Sequence, residues 1–258
     1  EATTGLFFFL LGTYFGLLLN KNKLLIFLSV ISFTLSLYSY NSFRIIVPIW
    51  ITFLIFFLYP NLKKARECVP IVVISSLLFV MSLVPVYRLI KYDAGVSRFT
   101  HVAIQNWRDF TKNYMSHFTP GFLFVNGDKN PRSQIPGVGQ VYFWELPLFI
   151  LGIWSILKSK KRLHWLVLMM LLIAPIPASL TRESPHALRS ILMAPTLAIL
   201  SSFGAVFLLE KIKVYKVTIL IGIVVVSLVS FEFYIVKFFE QYPIATSKDW
   251  QYGYKEIF

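Results

Sequence analysis

Two arginines, a glutamate and a histidine lie within the ten-residue segment TRESPHALRS, between apolar stretches at residues 163–180 and 191–209. Isolated charges in such a setting are costly and usually have a partner or a task. Guanidinium and imidazole groups bind phosphates, arginine through its planar fork of donors. Arg182, His186 and Arg189 therefore predict a phosphate or pyrophosphate site. The alternative is a polar turn whose arginines touch lipid headgroups.

The spacing of these three residues suits a helix. Positions 182, 186 and 189 are four and three residues apart, so on a helix they would share one face. Pro185 would fit the first turn of such a helix, where a missing N–H does no harm. The spacing thus predicts a helix that presents the three side chains together.

Composition places the chain in a membrane. Of its 258 residues 57% are hydrophobic and only 14% are charged, well below the roughly 25% of soluble domains. The net charge of +13 could indicate nucleic-acid binding, but the basic residues lie in short loops between apolar stretches, which excludes that partner. The single cysteine, Cys68, rules out an intrachain disulfide. The chain shows no signal-peptide pattern after Glu1. We expect an internal fragment of a longer protein.

Eight apolar stretches have about the length of a membrane-spanning helix, which needs ~20 apolar residues. The third stretch, residues 45–59, is short and could be extended through Phe43 and Arg44. We expect an all-α fold: a polytopic transmembrane bundle over residues 1–238, then the start of an extracytoplasmic segment at 239–258. The predicted spans are residues 3–19, 24–40, 45–59, 68–86, 141–157, 163–180, 191–209 and 217–236.

The charge of the loops predicts the orientation. In alternate short loops, at 20–23, 61–67, 158–162 and 210–216, about half of the residues are Lys or Arg, so these loops are expected on the cytoplasmic side. The turn at 39–44, the loop 87–140, the turn at 182–189 and the tail from Lys237 then lie outside. The expected location is the plasma (inner) membrane, with the unusual polar residues on its extracytoplasmic face.

The loop 87–140 is too long for a simple connection. Apolar residues recur at three- and four-residue steps over 99–118, which predicts an amphipathic helix in the outer interface. His101 and His117 are expected to be satisfied polar residues and not metal ligands. Gly, Asn and Pro are dense further on, where Asp128 and Arg132 lie, and this composition predicts turns.

Three motifs carry a family resemblance: FVNGDKNPR at 124–132, IPGVGQ with ELPL at 135–148, and PIPASLTRESPHALRS at 175–190. The chain resembles bacterial membrane glycosyltransferases of the GT-C fold. These enzymes use polyprenyl-phosphate-linked sugars and are relatives of protein O-mannosyltransferases and the lipid A aminoarabinose transferase. Tyr38-Ser-Tyr followed by Arg44 and Pro48 also looks like the outer turn of that family.

The resemblance implies an extracytoplasmic active site, a sugar donor that enters from the lipid bilayer, and a glycan, lipid or protein acceptor. The main acidic residue of the family would lie upstream of Glu1, and Glu1 looks like its second-loop acidic residue. Glu1 is therefore the candidate catalytic residue in this chain. Ser133 stands where family members often have a histidine. The implied donor-phosphate residues are Arg132, Arg182, His186 and Arg189, supported by Asp128, Glu183 and Arg44.

A general base needs a carboxylate. Glu1, Asp128, Glu145 and Glu183 lie on the expected outer side, and none has a decisive signature. No metal site is predicted, although carboxylates could recruit a divalent cation. The other classes are a non-enzymatic carrier or flippase of a lipid-linked substrate, and an enzyme of the O-antigen polymerase or ligase type. A carrier is expected to show internal repeats and charges near the bilayer midplane, and the chain shows no repeat.

Overall fold

The computed structural model describes residues 1–19, 22–62, 69–92 and 102–250. These residues form helices and turns with no named strand, apart from one antiparallel bridge between Ala103 and Thr181. The predicted all-α class is confirmed for them. The helices are α1 Ala2–Leu17, α2 Leu25–Ser39, α3 Phe43–Leu62, α4 Val69–Tyr92, α5 Trp107–Ser116, α6 Leu146–Lys158, α7 Arg162–Ile173, α8 Ile176–Ser179, α9 Met193–Lys211, α10 Lys216–Val236 and α11 Tyr242–Thr246.

Three helical segments in the described part of the chain are long and apolar enough to cross a membrane. They are Arg162–Ser179, Met193–Lys211 and Lys216–Thr246. Four further apolar helical segments are shorter, with 10–17 residues each: Ala2–Leu17, Leu25–Ser39, Phe43–Phe57 and Val73–Arg88. The structure thus supports three spans, and the predicted eight are not confirmed.

The chain divides into two compact units. The first comprises Glu1–Phe110, Met169–Arg182 and Arg189–Leu192. The second comprises Thr111–Leu168, Glu183–Leu188 and Met193–Phe258. The four predicted phosphate ligands are divided between them, because Arg182 and Arg189 belong to the first unit and His186 to the second, together with Arg132.

In the first unit, α1 packs antiparallel to α2 through small residues. Ser36 Oγ donates to the carbonyl of Gly5 at 2.8 Å, and Ser29 Oγ donates to that of Gly12 at 2.7 Å. A side chain at Gly5 would overlap Phe43 at the beginning of α3. This packing places Glu1, just before α1, beside the turn that joins α2 to α3.

In the second unit, α6 and α9 approach each other at two glycines. A side chain at Gly152 would overlap the carbonyl of Leu200, and one at Gly204 would overlap the carbonyl of Leu148. Close backbone approach at small residues is the usual way for apolar helices to pack inside a membrane. The helical segment Lys216–Thr246 differs, since none of its most apolar window is buried. Apolar surface of that extent requires a lipid or protein neighbour.

Two predicted helices differ from the structure. Residues 182–192 form bends and turns, and the helix resumes only at Met193. The prediction that residues 182, 186 and 189 share one face of a helix is therefore wrong. Helix α7, which precedes this segment, ends at Ile173. Pro175 and Pro177 follow it, and proline disfavours the continuation of a helix.

The amphipathic helix predicted over 99–118 is shorter than expected. Helix α5 covers Trp107–Ser116, which confirms its central part. Residues 103–106 are not helical, because Ile104 donates its N–H to the carbonyl of Leu180 and Arg182 donates to that of Val102. Pairing with residues 180–182 thus replaces helical hydrogen bonds in this segment. Phe99 and His101 lie outside the described residues.

Candidate functional site

A polar cavity of about 450 Å³ lies in the first unit, where α1 and α3 begin and α2 ends. Two predicted site residues line it, the candidate catalytic Glu1 and the supporting Arg44. Arg44 Nε also donates to the carbonyl of Leu37 at 3.4 Å. The remaining lining residues are Thr4, Tyr38, Ser39, Tyr40 and Asn41. The cavity therefore brings a carboxylate and a guanidinium together among uncharged hydroxyl and amide groups.

Tyr40 connects this cavity electrostatically with Arg189. Glu1 and Arg189 both act on the Tyr40 hydroxyl, in opposite senses, and Ser42 forms a side-chain hydrogen bond with it. The charges of the predicted phosphate ligand Arg189 and the predicted catalytic Glu1 thus both act on one residue of the cavity lining.

Protein contacts hold in place Arg182 and Arg189, the two predicted phosphate ligands of the first unit. Arg189 Nη1 donates to Thr181 Oγ1 at 2.8 Å, and Thr181 is buried. Arg182 is exposed, and its Nε donates to the carbonyl of Ala103 at 3.0 Å. The Arg182 guanidinium has more donors than this bond uses, since it carries five N–H groups. A guanidinium that is held by the protein in this way can bind an anion from a fixed position.

In the second unit, Asp128 and His186 form a buried pair. Their Oδ2 and Nδ1 atoms lie 3.2 Å apart, and the same Oδ2 accepts a hydrogen bond from the Ala187 N–H at 2.6 Å. Burial by itself raises the pKa of the Asp128 carboxyl. The neighbouring His186 side chain and hydrogen bonds from the Asn130 and Ala187 N–H groups outweigh burial, so this pKa lies below its ordinary value. Asp128 therefore holds the turn that contains His186, and this role differs from that of an exposed general base.

His117 also holds the turn that contains His186. Its Nδ1 contacts the Asn113 carbonyl at 2.9 Å, and its Nε2 lies 3.2 Å from the backbone nitrogen of His186. One ring nitrogen must donate and the other accept, which requires a neutral imidazole. Burial lowers the pKa of His117 to about 4, in agreement with that requirement. His117 is thus a satisfied buried residue, as predicted.

Arg132 lies in a polar and aromatic cluster of the second unit. Its Nε donates to the carbonyl of Asp249 at 2.6 Å, and its guanidinium carbon lies 5.9 Å from the centre of the Trp250 ring. Tyr242 donates its hydroxyl proton to the Arg132 carbonyl at 2.8 Å. These contacts attach the Pro131–Ser133 turn to α11 and to the segment after it. A donor-phosphate role for Arg132 and His186 stays a prediction.

The two other candidate bases have different surroundings. Glu145 accepts hydrogen bonds from Ser201 Oγ at 2.9 Å and from the Tyr142 N–H at 3.3 Å, so both of its oxygens serve helix packing and capping. Glu183 is exposed. Within the described ranges, no group of three or more His, Cys, Asp or Glu side chains is arranged to hold a metal ion.

Tyr40 and Asn41 line the cavity but were not among the predicted site residues. The available signal was the polar run Tyr38–Ser42 at a helix end, next to an arginine. This run forms part of a site only because Glu1 lies beside it, and the packing of α1 on α2 places Glu1 there.

Fold and site together define an all-α chain with helices able to cross a membrane and a charged, polar cavity at the ends of three apolar helices. No protein-family model, no curated protein and no solved structure matches it.

Proposed function

We propose that the chain is part of an integral membrane glycosyltransferase. It would transfer a sugar from a polyprenyl-phosphate-linked donor to an acceptor hydroxyl on the extracytoplasmic side of the plasma membrane, within a GT-C-type bundle of about eight spans. The motifs at 124–132 and 175–190 suggest this class. The observation that carries the proposal is the cavity with Glu1 and Arg44 in its wall and Arg189 acting on Tyr40.

The charges of Glu1, Arg44 and Arg189 suit the proposed reaction. In the transfer, the acceptor oxygen forms a bond to the anomeric carbon of the sugar while the bond from that carbon to the phosphate oxygen breaks. The acceptor proton goes to a carboxylate, for which Glu1 is the candidate in this chain. The leaving polyprenyl phosphate keeps the bonding electron pair, so negative charge grows on its oxygen. A fixed guanidinium beside that oxygen stabilises the transition state more than the ground state.

Arg182 and Arg189 are the proposed phosphate-binding residues of the first unit. Each charged hydrogen bond contributes on the order of 1.5–3 kcal/mol. Loss of one arginine should then lower the transfer rate roughly tenfold to a hundredfold, since 1.36 kcal/mol corresponds to about a factor of ten. Lysine should restore only part of the rate, because it lacks the planar fork.

The test is transfer from a radiolabelled polyprenyl-phosphate sugar by the full-length protein in proteoliposomes. Arg182→Ala, Arg189→Ala and Glu1→Gln would be compared with Arg108→Ala, which removes an exposed arginine of α5. We expect the first three to be impaired and the control to be normal. Normal transfer by both Arg182→Ala and Arg189→Ala would show that the phosphate site is misplaced.

The same proteoliposomes separate this function from that of a carrier. A carrier moves the intact labelled lipid across the bilayer and leaves its sugar attached. Translocation without any transfer, for every acceptor class tried, would overturn the glycosyltransferase proposal.

A further inference from the structure

We propose that the cavity at the ends of α1, α2 and α3 binds the uncharged hydroxyl groups of a sugar, and that phosphate binds outside it. This inference rests on the proposed function, because it assigns one part of the substrate to one part of the site.

The charge of the lining is the first argument. One carboxylate, on Glu1, and one guanidinium, on Arg44, stand among uncharged groups. A phosphate inside this space would lie near the like charge of Glu1, and juxtaposed like charges are unfavourable in a binding site. A neutral ligand meets no such repulsion and can use both groups at once.

The second argument is the mixture of donors and acceptors. Within the described part of the chain, the side chains of Glu1, Thr4 and Asn41 form no hydrogen bond with the protein. A carboxylate accepts, a guanidinium donates, and hydroxyl and amide groups do both. Each sugar hydroxyl also donates and accepts, so neighbouring hydroxyls fit such a wall. An anion could not use the acceptor groups.

Tyr38 supplies an apolar surface beside these polar groups. Its hydroxyl donates to the carbonyl of Ser82 at 2.8 Å, which fixes the ring, and the residue remains 47% exposed. The C–H face of a sugar can pack on such a ring. The volume of about 450 Å³ lies within the range of small-molecule sites, roughly 300–1,000 Å³.

Arg189 is not among the lining residues of the cavity, and its Nη1 donates to Thr181 Oγ1 at 2.8 Å. The sugar of a glycosyl phosphate would then lie inside the cavity and its phosphate outside it. A sugar of the acceptor would use the same hydroxyl-binding groups, so the test must distinguish these two sources.

The test uses a methyl glycoside with a photoreactive diazirine, bound to the full-length protein in lipid nanodiscs. After irradiation, the labelled peptides are identified by mass spectrometry. We expect labels at residues 1–4 and 38–44. Asn41→Ala should lower this labelling roughly threefold to tenfold, from the loss of about 0.5–1.5 kcal/mol of hydrogen bonding. Asn106→Ala, which removes an exposed amide elsewhere, is the matched control.

Competitors identify the part of the substrate that is bound. Unlabelled methyl glycoside should prevent labelling, and inorganic phosphate should not. A short-chain polyprenyl-phosphate sugar that prevents labelling, while the same lipid phosphate without sugar does not, assigns the cavity to the donor sugar. If neither lipid competes and the free glycoside does, the cavity binds the sugar of the acceptor.

Two results would overturn the inference: labelling that is prevented equally by inorganic phosphate, or labelling that Asn41→Ala leaves unchanged. The measurement needs no turnover, so it fails independently of the proposed function. Labelling without any transfer counts against the glycosyltransferase alone. Transfer without labelling of this cavity counts against the sugar subsite alone.

Discussion

Oδ2 of Asp128 lies 3.2 Å from Nδ1 of His186, and both residues are buried. The same carboxylate oxygen accepts a hydrogen bond from the N–H of the next residue, Ala187, at 2.6 Å. The Asp128 side chain of the long loop thus contacts the His186 imidazole and accepts a hydrogen bond from the backbone of the same turn. This relationship makes Asp128 a structural residue of the second unit.

Replacing Asp128 by asparagine should loosen this turn. Asparagine keeps the shape but removes the charge, so the charge-assisted bonds weaken, each worth about 1.5–3 kcal/mol. We expect faster amide hydrogen exchange at His186 and Ala187 and a lower melting temperature. Asp109→Asn, in the exposed first turn of α5, is the control and should change neither quantity. Unchanged exchange in Asp128→Asn would contradict the assigned role.

Acid should destabilise the protein through His117. Burial lowers its pKa to about 4, against an ordinary value of 6.5. Between these values the unfolded chain binds a proton that the folded chain excludes, so stability falls as pH decreases from 6.5 to about 4 and is constant above 6.5. The lowered pKa of Asp128 acts in the same direction at acid pH.

The magnitude for His117 is on the order of 3 kcal/mol, since one pKa unit corresponds to about 1.36 kcal/mol. Melting temperatures between pH 8 and pH 4 measure it. His117→Gln can still donate and accept but does not titrate, and it should flatten the part of the curve between pH 6.5 and 4. A variant with the same slope as the parent protein would show that His117 is not the group responsible.

Gly204→Ala should destabilise the packing of α6 on α9, because the new methyl group would overlap the carbonyl of Leu148. Overpacking of this kind costs about 1–3 kcal/mol. Gly222→Ala in α10 is the matched control, since nothing lies within 4 Å of the position of its added carbon. The control should be neutral or gain up to about 1 kcal/mol from better helix propensity. Thermal unfolding in detergent compares the two, and equal melting temperatures would contradict the close approach.

The predicted topology can be tested with cysteine labelling in a Cys68→Ala background. Asn130→Cys lies in the long loop and Lys160→Cys in a basic loop between α6 and α7. If basic loops are cytoplasmic, an impermeant maleimide applied from outside should label position 130, and position 160 only after the membrane is permeabilised. The reverse pattern would show that the orientation is wrong.

Composition and hydropathy were enough to predict the helical class and the positions of most helices. The extension of the third helix to Phe43 and Arg44 is confirmed, since α3 begins at Phe43. These features depend on local properties: apolar residues favour helices whose backbone groups are all satisfied, and polar residues with Gly and Pro end them. Span length was less predictable, because the exact ends of helices depend on their neighbours.

Local spacing was misleading at residues 182–192. A three–four pattern is compatible with a helix, but this segment instead forms hydrogen bonds to distant partners, such as the one between Ala187 and Asp128. Bonds over such separations in the chain cannot be derived from residue spacing. The same limit applies to residues 103–106, which pair with 180–182 and do not extend α5.

By itself, the sequence determined that the chain is helical and apolar and that many of its basic residues lie in short loops between apolar stretches. Hydrophobicity and charge are properties of single residues and their near neighbours, so they can be read along the chain. Only the tertiary structure decided that Glu1 lies with Tyr40, Asn41 and Arg44 around one cavity, and that His117 and Asp128 hold the turn containing His186. Those groupings arise from helix packing and long-range hydrogen bonds, which join residues that the sequence keeps far apart.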